Sequence, residues 1–378
     1  MRIFACHLLN DYSGSPKVLM QLIKGWTENN IAVTVLTSSK RKGFLSGLDT
    51  VNYAPFWYQL AGNPFVRFIF LVMSQFILLI KRLELAKKED IIYINTVLPF
   101  GAAIAGKIKG CSVIYHVHET SIKPQLLKKF LFGCVKKFAT DVVYVSNYLQ
   151  RQENIADVKN HILYNAIEEE FYQIGKINYQ SKHLHKNVLM ICSLKRYKGV
   201  LEFVELASLN PAYDFKLVVN ADQNEIEDFF RITFLPANLR IYPVQTNTHP
   251  FYSWADIVLN LSRTDEWIET FGLTILEGMA YGLPAIVPPI GGIAELVEEN
   301  RNGALVDSLN LQHLSKRLGE ILNNKNLYAE MEANSFSKIN SFRENEFVKK
   351  SLAILQNRTL SNHGKNGNYF HILENKPK

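Results

Sequence analysis

The stretch 256–307 constrains the fold more than any other part of the chain. Its apolar run Ile257-Val-Leu-Asn-Leu261 has strand length and is bounded by polar residues; Ala285-Ile-Val287 is a second such run, closed by Gly291 and Gly292. Between them lies a helical pattern beginning near Phe271 and carrying Glu277. Two strands joined through a helix of this length form a right-handed βαβ unit, which predicts a parallel sheet with its ligand at the carboxyl ends of the strands. The loop 262–270 occupies that end.

The chemistry expected there follows from charge. A helix starting at Phe271 leaves the N–H groups of Phe271, Gly272 and Leu273 without intrahelical partners and aimed at an approaching anion, and Gly272 permits a close approach. Glu269 lies just outside the helix and Glu277 in its second turn. Carboxylates repel a phosphate, so a pair flanking an anion site is better suited to accept hydroxyls. Phosphate flanked by hydroxyls describes a nucleotide sugar.

The run Glu269-Thr-Phe-Gly-Leu-Thr-Ile-Leu-Glu277, continued through Gly282-Leu-Pro284, Gly291-Gly292 and Asn302-Gly-Ala-Leu-Val306, resembles the signature of family 4 retaining glycosyltransferases with their Glu-x7-Glu motif. That resemblance implies the GT-B architecture: α/β, with two doubly wound, Rossmann-like parallel-sheet domains facing across a cleft. It implies a nucleotide-diphosphate sugar donor, a glycan or lipid-linked acceptor, and Thr270 among the donor contacts. Periodicity alone supports two parallel α/β domains, which the length of 378 residues also favours.

Composition limits the setting. Cys6, Cys111, Cys134 and Cys192 are widely separated, without metal-ligand spacing, and three sit in or beside apolar runs, so they read as reduced core thiols of a cytosolic protein. Met1-Arg-Ile-Phe-Ala-Cys6 reads as a first strand rather than a signal peptide. The net charge of +7 is unevenly shared: residues 1–180 hold 21 Lys and Arg against 13 Asp and Glu, whereas residues 181–378 hold 21 against 22. A basic face on one half suits an anionic membrane surface, which places the chain in the cytoplasm with a peripheral hold on the inner face of the cell membrane. No nucleic-acid fold signature or interleaved aromatic pattern accompanies it.

In chain order, the strand 2–7 leads into Asn10-Asp-Tyr-Ser-Gly-Ser-Pro16 and a helix over 17–26. Gly14 and Ser15 make a cradle for phosphate or sugar at that turn; the turn resembles the glycine-containing loop of the family, with Gly14-Ser15 where a double glycine is usual. The segment 65–80 is the most apolar in the chain and, with Arg67 inside, is shorter than the ~20 residues a span needs. It reads as a buried crossover helix, or as a helix lying in a membrane interface with Lys81-Arg82 at its edge. In Ser112-Val-Ile-Tyr-His-Val-His-Glu119, period two places His116 and His118 on one face at a strand end. The resemblance makes His118 a contact of the transferred sugar or the acceptor.

Residues 173–187 lack apolar periodicity and read as the linker between an acceptor-side domain, 1–178, and a nucleotide-sugar domain, 186–340. The second domain opens with a strand and Lys195-Arg-Tyr-Lys-Gly199. Lys198 matches the family's lysine on the donor diphosphate, where a fixed cation offsets charge growing on the leaving group; Arg196 is the candidate for a second cation. The loop 244–253, with His249 and Tyr252, is expected near the base. Residues 328–347 read as one helix, the helix 344–357 is expected to pack on the first domain, and 361–378 read as a mobile tail.

The resemblance implies a retaining transferase with His118, Lys198 and Glu269 as catalytic groups. No cofactor or metal is expected, because Lys198 and helix N-termini supply the charge a metal would. Two alternatives share the pattern: a GT-B sugar-nucleotide 2-epimerase, and a non-catalytic relative that binds a true transferase.

Overall fold

The computed structural model describes residues 2–39, 41–179 and 184–363, with side chains through residue 356. The first half carries seven strands: β1 (Arg2–Cys6), β2 (Ala32–Leu36), β3 (Asn52–Tyr53), β4 (Ile91–Asn95), β5 (Ser112–Val117), β6 (Asp141–Tyr144) and β7 (Lys159–Ile162). They form a parallel sheet in the order β3-β2-β1-β4-β5-β6-β7. The second half carries six: β8 (Asn187–Cys192), β9 (Asp214–Val219), β10 (Leu239–Tyr242), β11 (Ile257–Leu259), β12 (Ala285–Val287) and β13 (Gly303–Leu305), in the parallel order β10-β9-β8-β11-β12-β13. Both sheets are doubly wound, so each has a switch point, β1/β4 in the first and β8/β11 in the second. Chains leaving neighbouring strands there diverge to opposite faces and open a crevice.

The central strands are buried on both faces, Ile3 to Cys6 and Ile91 to Asn95 without exception. Continuous apolar runs rather than alternation are what a sheet covered by helices on both sides requires. Helix α1 (Gly14–Glu28) fills one of those covers with Val18, Leu19, Leu22, Ile23 and Trp26. It starts three residues earlier than its apolar periodicity predicts, so Gly14 and Ser15 form its first turn rather than a separate loop, and Pro16 fits because the first turn needs no N–H donors.

Helix α2 (Pro64–Leu85) corrects the preferred reading of its segment. It is 22 residues long, long and apolar enough by length and composition to cross a membrane, and most of it is not buried. Asn63 caps it, its side chain accepting from the N–H groups of Phe65 and Val66. The buried face, which packs against helix α3 (Phe100–Lys109), carries Leu71, Ser74, Gln75 and Leu78, with Arg82 buried further along, whereas Phe65, Phe68, Val72, Met73 and Phe76 face out. Arg82 is not at any edge: it is fully buried with its guanidinium on the Phe4 ring, 3.2 Å from the centroid. Helix α4 (Gln125–Phe138) lies on the other side of α3 and exposes Leu126, Phe130 and several lysines.

Helix α5 (Asn147–Gln152) follows β6, and helix α6 (Glu169–Asn178) runs into the region expected to be linker. Tyr172 and Gly175 are buried there, Gly175 close enough to Ala280 that a Cβ would lie 2.7 Å from its carbonyl oxygen. Tyr172 and Gly175 hold α6 against the rest of the fold. The rest of the expected linker includes 180–183, outside the described residues.

In the second half, α7 (Val200–Leu209), α8 (Gln223–Phe230), α9 (His249–Trp254) and α10 (Leu273–Met279) alternate with the strands, and α11 (Leu311–Asn323) and α12 (Lys325–Lys338) follow β13. The single helix expected over 328–347 is interrupted by a 3-10 turn, Ile339–Phe342, after which α13 (Glu344–His363) turns back along α1. Trp26 Nε1 donates to Ser351 Oγ at 3.0 Å, and Val348 fills the space beside Gly25. Of the expected tail, 361–363 belong to α13; 364–378 lie outside the described residues.

Candidate functional site

The site is assembled where the two switch points face each other. After β8 the chain makes a 3-10 turn, Arg196–Lys198, and passes through Gly199 with φ +75°. A Cβ on Gly199 would lie 2.0 Å from the carbonyl oxygen of Leu261, so only glycine lets this turn sit against the end of β11. The consequence is local: Lys198 Nζ forms a close ion pair with Glu269 Oε1, which also accepts from Ser262 Oγ at 2.7 Å. Arg196, on the same turn, is exposed and takes no part in this contact.

Helix α10 begins at Leu273, two residues later than expected, with Gly272 as its cap residue and no capping side chain. Phe271 is therefore not an N-terminal residue of the helix. Its ring is buried against Tyr164 and Phe342, so the expected donor contact could come from its backbone only. Gly272 also has a packing role: a Cβ there would lie 2.7 Å from Ile293. Thr270 reaches the opposite half, its Oγ1 donating to the carbonyl oxygen of His118 at 2.7 Å.

Glu277 is buried, and both of its oxygens are held. Oε2 accepts from the hydroxyl of Tyr252 at 2.8 Å, and Oε1 lies 2.8 Å from Lys17 Nζ, which comes from α1 in the first half. Lys17 is shared with Glu168 at 2.9 Å. Burial alone would push the Lys17 ammonium down, but Glu277 and Glu168 outweigh it and hold its pKa above the ordinary value. Gly14 brings the start of α1 to the start of α10: a Cβ on it would lie 3.3 Å from Leu273 Cδ1. Tyr252 lies on α9 beside Glu277, and the neighbouring His249 ring stacks on Phe171 at 4.2 Å.

On the first half, the ends of β1, β4 and β5 carry a buried polar cluster. His118 Nε2 donates to Asn95 Oδ1 at 2.8 Å, Asn95 Nδ2 donates to the Ser15 carbonyl at 2.9 Å and lies 3.1 Å from His7 Nδ1, and His116 Nδ1 lies 3.0 Å from the Tyr93 hydroxyl. The His116 and His118 rings are 4.3 Å apart, the one-face arrangement that period two predicts. Burial pushes His7 down to about 4 and His116 to about 3; it lowers His118 too, with further help from its histidine neighbours. All three are neutral imidazoles at pH 7. Glu119 next to them is pushed up to about 7 by burial, against N–H donors that pull the other way, so it exchanges its proton near neutrality.

The structure thus brings Gly14, Ser15, His118, Lys198, Glu269, Thr270, Gly272, Leu273 and Glu277 to the facing ends of the two sheets, while the Arg196 side chain is exposed and the Phe271 ring packs in the core. Sequence reasoning missed Lys17, Glu168, Asn95 and Ser262. Lys17 and Glu168 are far apart in the chain and meet only in the folded protein, so no local spacing announces them. Asn95, at the end of β4, was findable, because a polar residue closing a run as apolar as Ile91-Ile-Tyr-Ile94 marks a strand's carboxyl end.

Residues 12–171 match the glycosyltransferase family 4 pattern and residues 176–338 the glycosyl transferases group 1 pattern. Among curated proteins, the chain is 26% identical to N-acetyl-alpha-D-glucosaminyl L-malate synthase of Bacillus anthracis over 66% of this chain and 70% of that protein. It is 37% identical to sucrose-phosphate synthase 4 of Arabidopsis thaliana over 23% of this chain and 8% of that one. Among solved structures, Anabaena Alr3699/HepE in complex with UDP and glucose is similar with a TM-score of 0.77 at 20% identity, over 94% of this chain and 99% of the other. Sucrose-phosphate synthase from Thermosynechococcus elongatus has a TM-score of 0.76 at 14% identity, over 96% and 100%. These structural likenesses show the fold.

Proposed function

Because this chain belongs to glycosyltransferase family 4 and has the GT-B fold, we propose that it is a retaining hexosyltransferase that moves a sugar from a nucleotide diphosphate to a glycan or lipid-linked acceptor of a bacterial surface polysaccharide. The observation that carries the donor reading is the pair of lysine-held carboxylates, Glu269 with Lys198 and Glu277 with Lys17, on either side of the start of α10. On this reading the diphosphate lies between them. Lys198 turns from Glu269 to the leaving diphosphate as its charge grows, and Glu269, released, accepts sugar hydroxyls. Glu277 accepts hydroxyls of the nucleotide. The acceptor enters from the His118 and Glu119 side; its oxygen bonds to the anomeric carbon on the face the diphosphate leaves, and its proton departs with that diphosphate. Solved relatives whose complexes hold UDP and UDP-glucose support a uridine donor as the first to test.

The test is a thermal-shift screen of nucleotide sugars, followed by turnover and the anomeric configuration of the product. A nucleotide sugar is expected to stabilise the protein, and transfer is expected to keep the donor's anomeric configuration and to persist in EDTA. The last expectation rests on Lys198, a fixed cation that would supply the charge a metal otherwise brings to the leaving diphosphate. An inverted product, or complete and reversible loss of turnover in EDTA, counts against the mechanism. Epimerisation of the donor without acceptor favours the epimerase reading.

The acceptor side is proposed to work at an anionic bilayer. Helix α2 is inverted for a water-facing helix: Phe65 is 72% and Phe76 64% exposed while Arg82 is at 0%. Lys107, Lys109, Lys129, Lys136 and Lys137 are exposed on the α3 and α4 helices nearby. Apolar burial in the interface and about 1 kcal/mol for each basic residue close to an anionic surface together suffice for reversible docking. The lengthwise packing of α2 on α3 favours a helix lying flat over one crossing the bilayer. Co-sedimentation should show binding to anionic vesicles that weakens as salt rises; equal binding to neutral vesicles, or none to either at low salt, would indicate a soluble acceptor.

A further inference from the structure

We infer that Lys17 is a donor-positioning residue that reaches across the cleft to fix Glu277, so that donor affinity is set from both halves of the protein. The inference rests on the reading of Glu277 as an acceptor of donor hydroxyls.

Lys17 stands in the first turn of α1, where the helix dipole disfavours a cation and no acidic residue of the same turn compensates. Its compensation is tertiary. The ammonium sits 2.8 Å from Glu277 Oε1 and 2.9 Å from Glu168 Oε1, with its side chain 18% exposed. A carboxylate has about four acceptor sites. Here Lys17 takes one on Oε1 and Tyr252 one on Oε2, which fixes the plane of Glu277 and leaves acceptor capacity on both oxygens for hydroxyls of a ligand.

The partners divide by half. Tyr252 and Glu277 belong to the second half; Lys17 and Glu168 belong to the first. If the halves separate, Glu168 still neutralises Lys17 and Tyr252 still holds Glu277, so neither group is stranded in an open cleft. Closure adds the bridge. It also removes a repulsion, because a diphosphate at the start of α10 would otherwise meet an uncompensated carboxylate one turn away. Both effects act on the donor's ground state as much as on the transition state, so loss of the bridge should appear in KM rather than in kcat.

The experiment compares wild type with Lys17→Met, which keeps the length and apolar stem, and Lys17→Arg, which keeps the charge. UDP affinity is measured by calorimetry, donor KM and kcat by transfer, and closure by the UDP-induced change in radius of gyration. Lys17→Met should raise the UDP Kd and the donor KM roughly tenfold, leave kcat within about threefold and abolish the compaction, with Lys17→Arg restoring most of the affinity. Wild type that binds UDP with Lys17→Met binding equally well overturns the inference alone. A fall in kcat and thermal stability with donor KM unchanged, or failure of Lys17→Arg to rescue, also overturns it and leaves Lys17 a structural residue. Wild type that binds neither UDP nor any other nucleotide overturns the donor reading, and the inference with it.

Discussion

Alanine at Lys198, Glu269 or Glu277 should each cost on the order of 2 to 4 kcal/mol in kcat/KM, roughly 30- to 1,000-fold, because each removes a charged hydrogen bond from a dry site. The loss should divide differently among them. Lys198→Ala and Glu277→Ala should weaken donor binding, whereas Glu269→Ala should lower kcat, since contacts to the moving sugar are remade in the transition state. Lys198 and Glu269 are paired with each other across a shared oxygen, so their losses should not add. Removing one leaves its partner as an uncompensated, mostly buried charge, and removing both relieves that penalty. The double variant should therefore be less impaired than the product of the single variants. Steady-state kinetics on the three single variants and the double variant decide the matter. Wild-type activity in all three singles would sink the site assignment, and strict additivity would mean that the two side chains act independently.

Below pH 6.5 the protein should lose stability steeply, and the cause is the histidine cluster at the strand ends. His7 and His116 are held near 4 and near 3 in the fold, against an ordinary value of 6.5. As pH falls from 6.5 to about 4 the unfolded chain binds protons that the folded state refuses. Each histidine then removes up to about 1.4 kcal/mol of stability per pH unit. Glu119 acts in the opposite direction. Its folded value near 7 lies above the ordinary 4.5, so its contribution is fully present below pH 4.5 and is lost as pH rises through 7. Between pH 6.5 and 4.5 it offsets one of the cluster's three histidines, His118 being lowered with the other two. The denaturant midpoint, followed from pH 7 to pH 5, should accordingly fall in wild type, fall more steeply in Glu119→Gln and less steeply in His116→Phe. A midpoint independent of pH across that range, or an unaltered slope in both variants, would show that these groups do not carry the acid sensitivity.

Much of this arrangement is contained in short stretches of the chain. The runs at β1, β4, β8 and β11 are apolar on both faces because a parallel sheet is covered on both sides, and their short length, bounded by glycine and polar residues, marks them as strands. The same locality makes Glu269, Glu277 and Lys198 readable, since Lys198 and Glu269 stand in the segments that leave β8 and β11 and Glu277 in the helix that follows, and the end of a strand in a doubly wound sheet is where ligands meet it. Helix limits were less legible. Pro16 and Gly14 suit a first turn as well as a loop, and Phe271 was placed in the core by Tyr164 and Phe342, which lie far away in sequence.

The orientation of α2 shows what hydropathy cannot say. A segment rich in Phe, Ile and Leu can bury any face; here Gly101 fits closely against Gln75, and Phe65 and Phe76 are exposed while Arg82 is buried. Lys17 shows the same for charge. The sequence by itself determined two parallel sheets and the carboxylates at their ends, because strand and helix patterns are set by neighbours along the chain. Tertiary structure alone decided that Lys17 and Tyr252 hold Glu277, that Lys198 holds Glu269 and that His118 rests on Asn95. Those contacts join residues from different strands and both halves, and an ion pair or hydrogen bond depends on distances that only packing fixes.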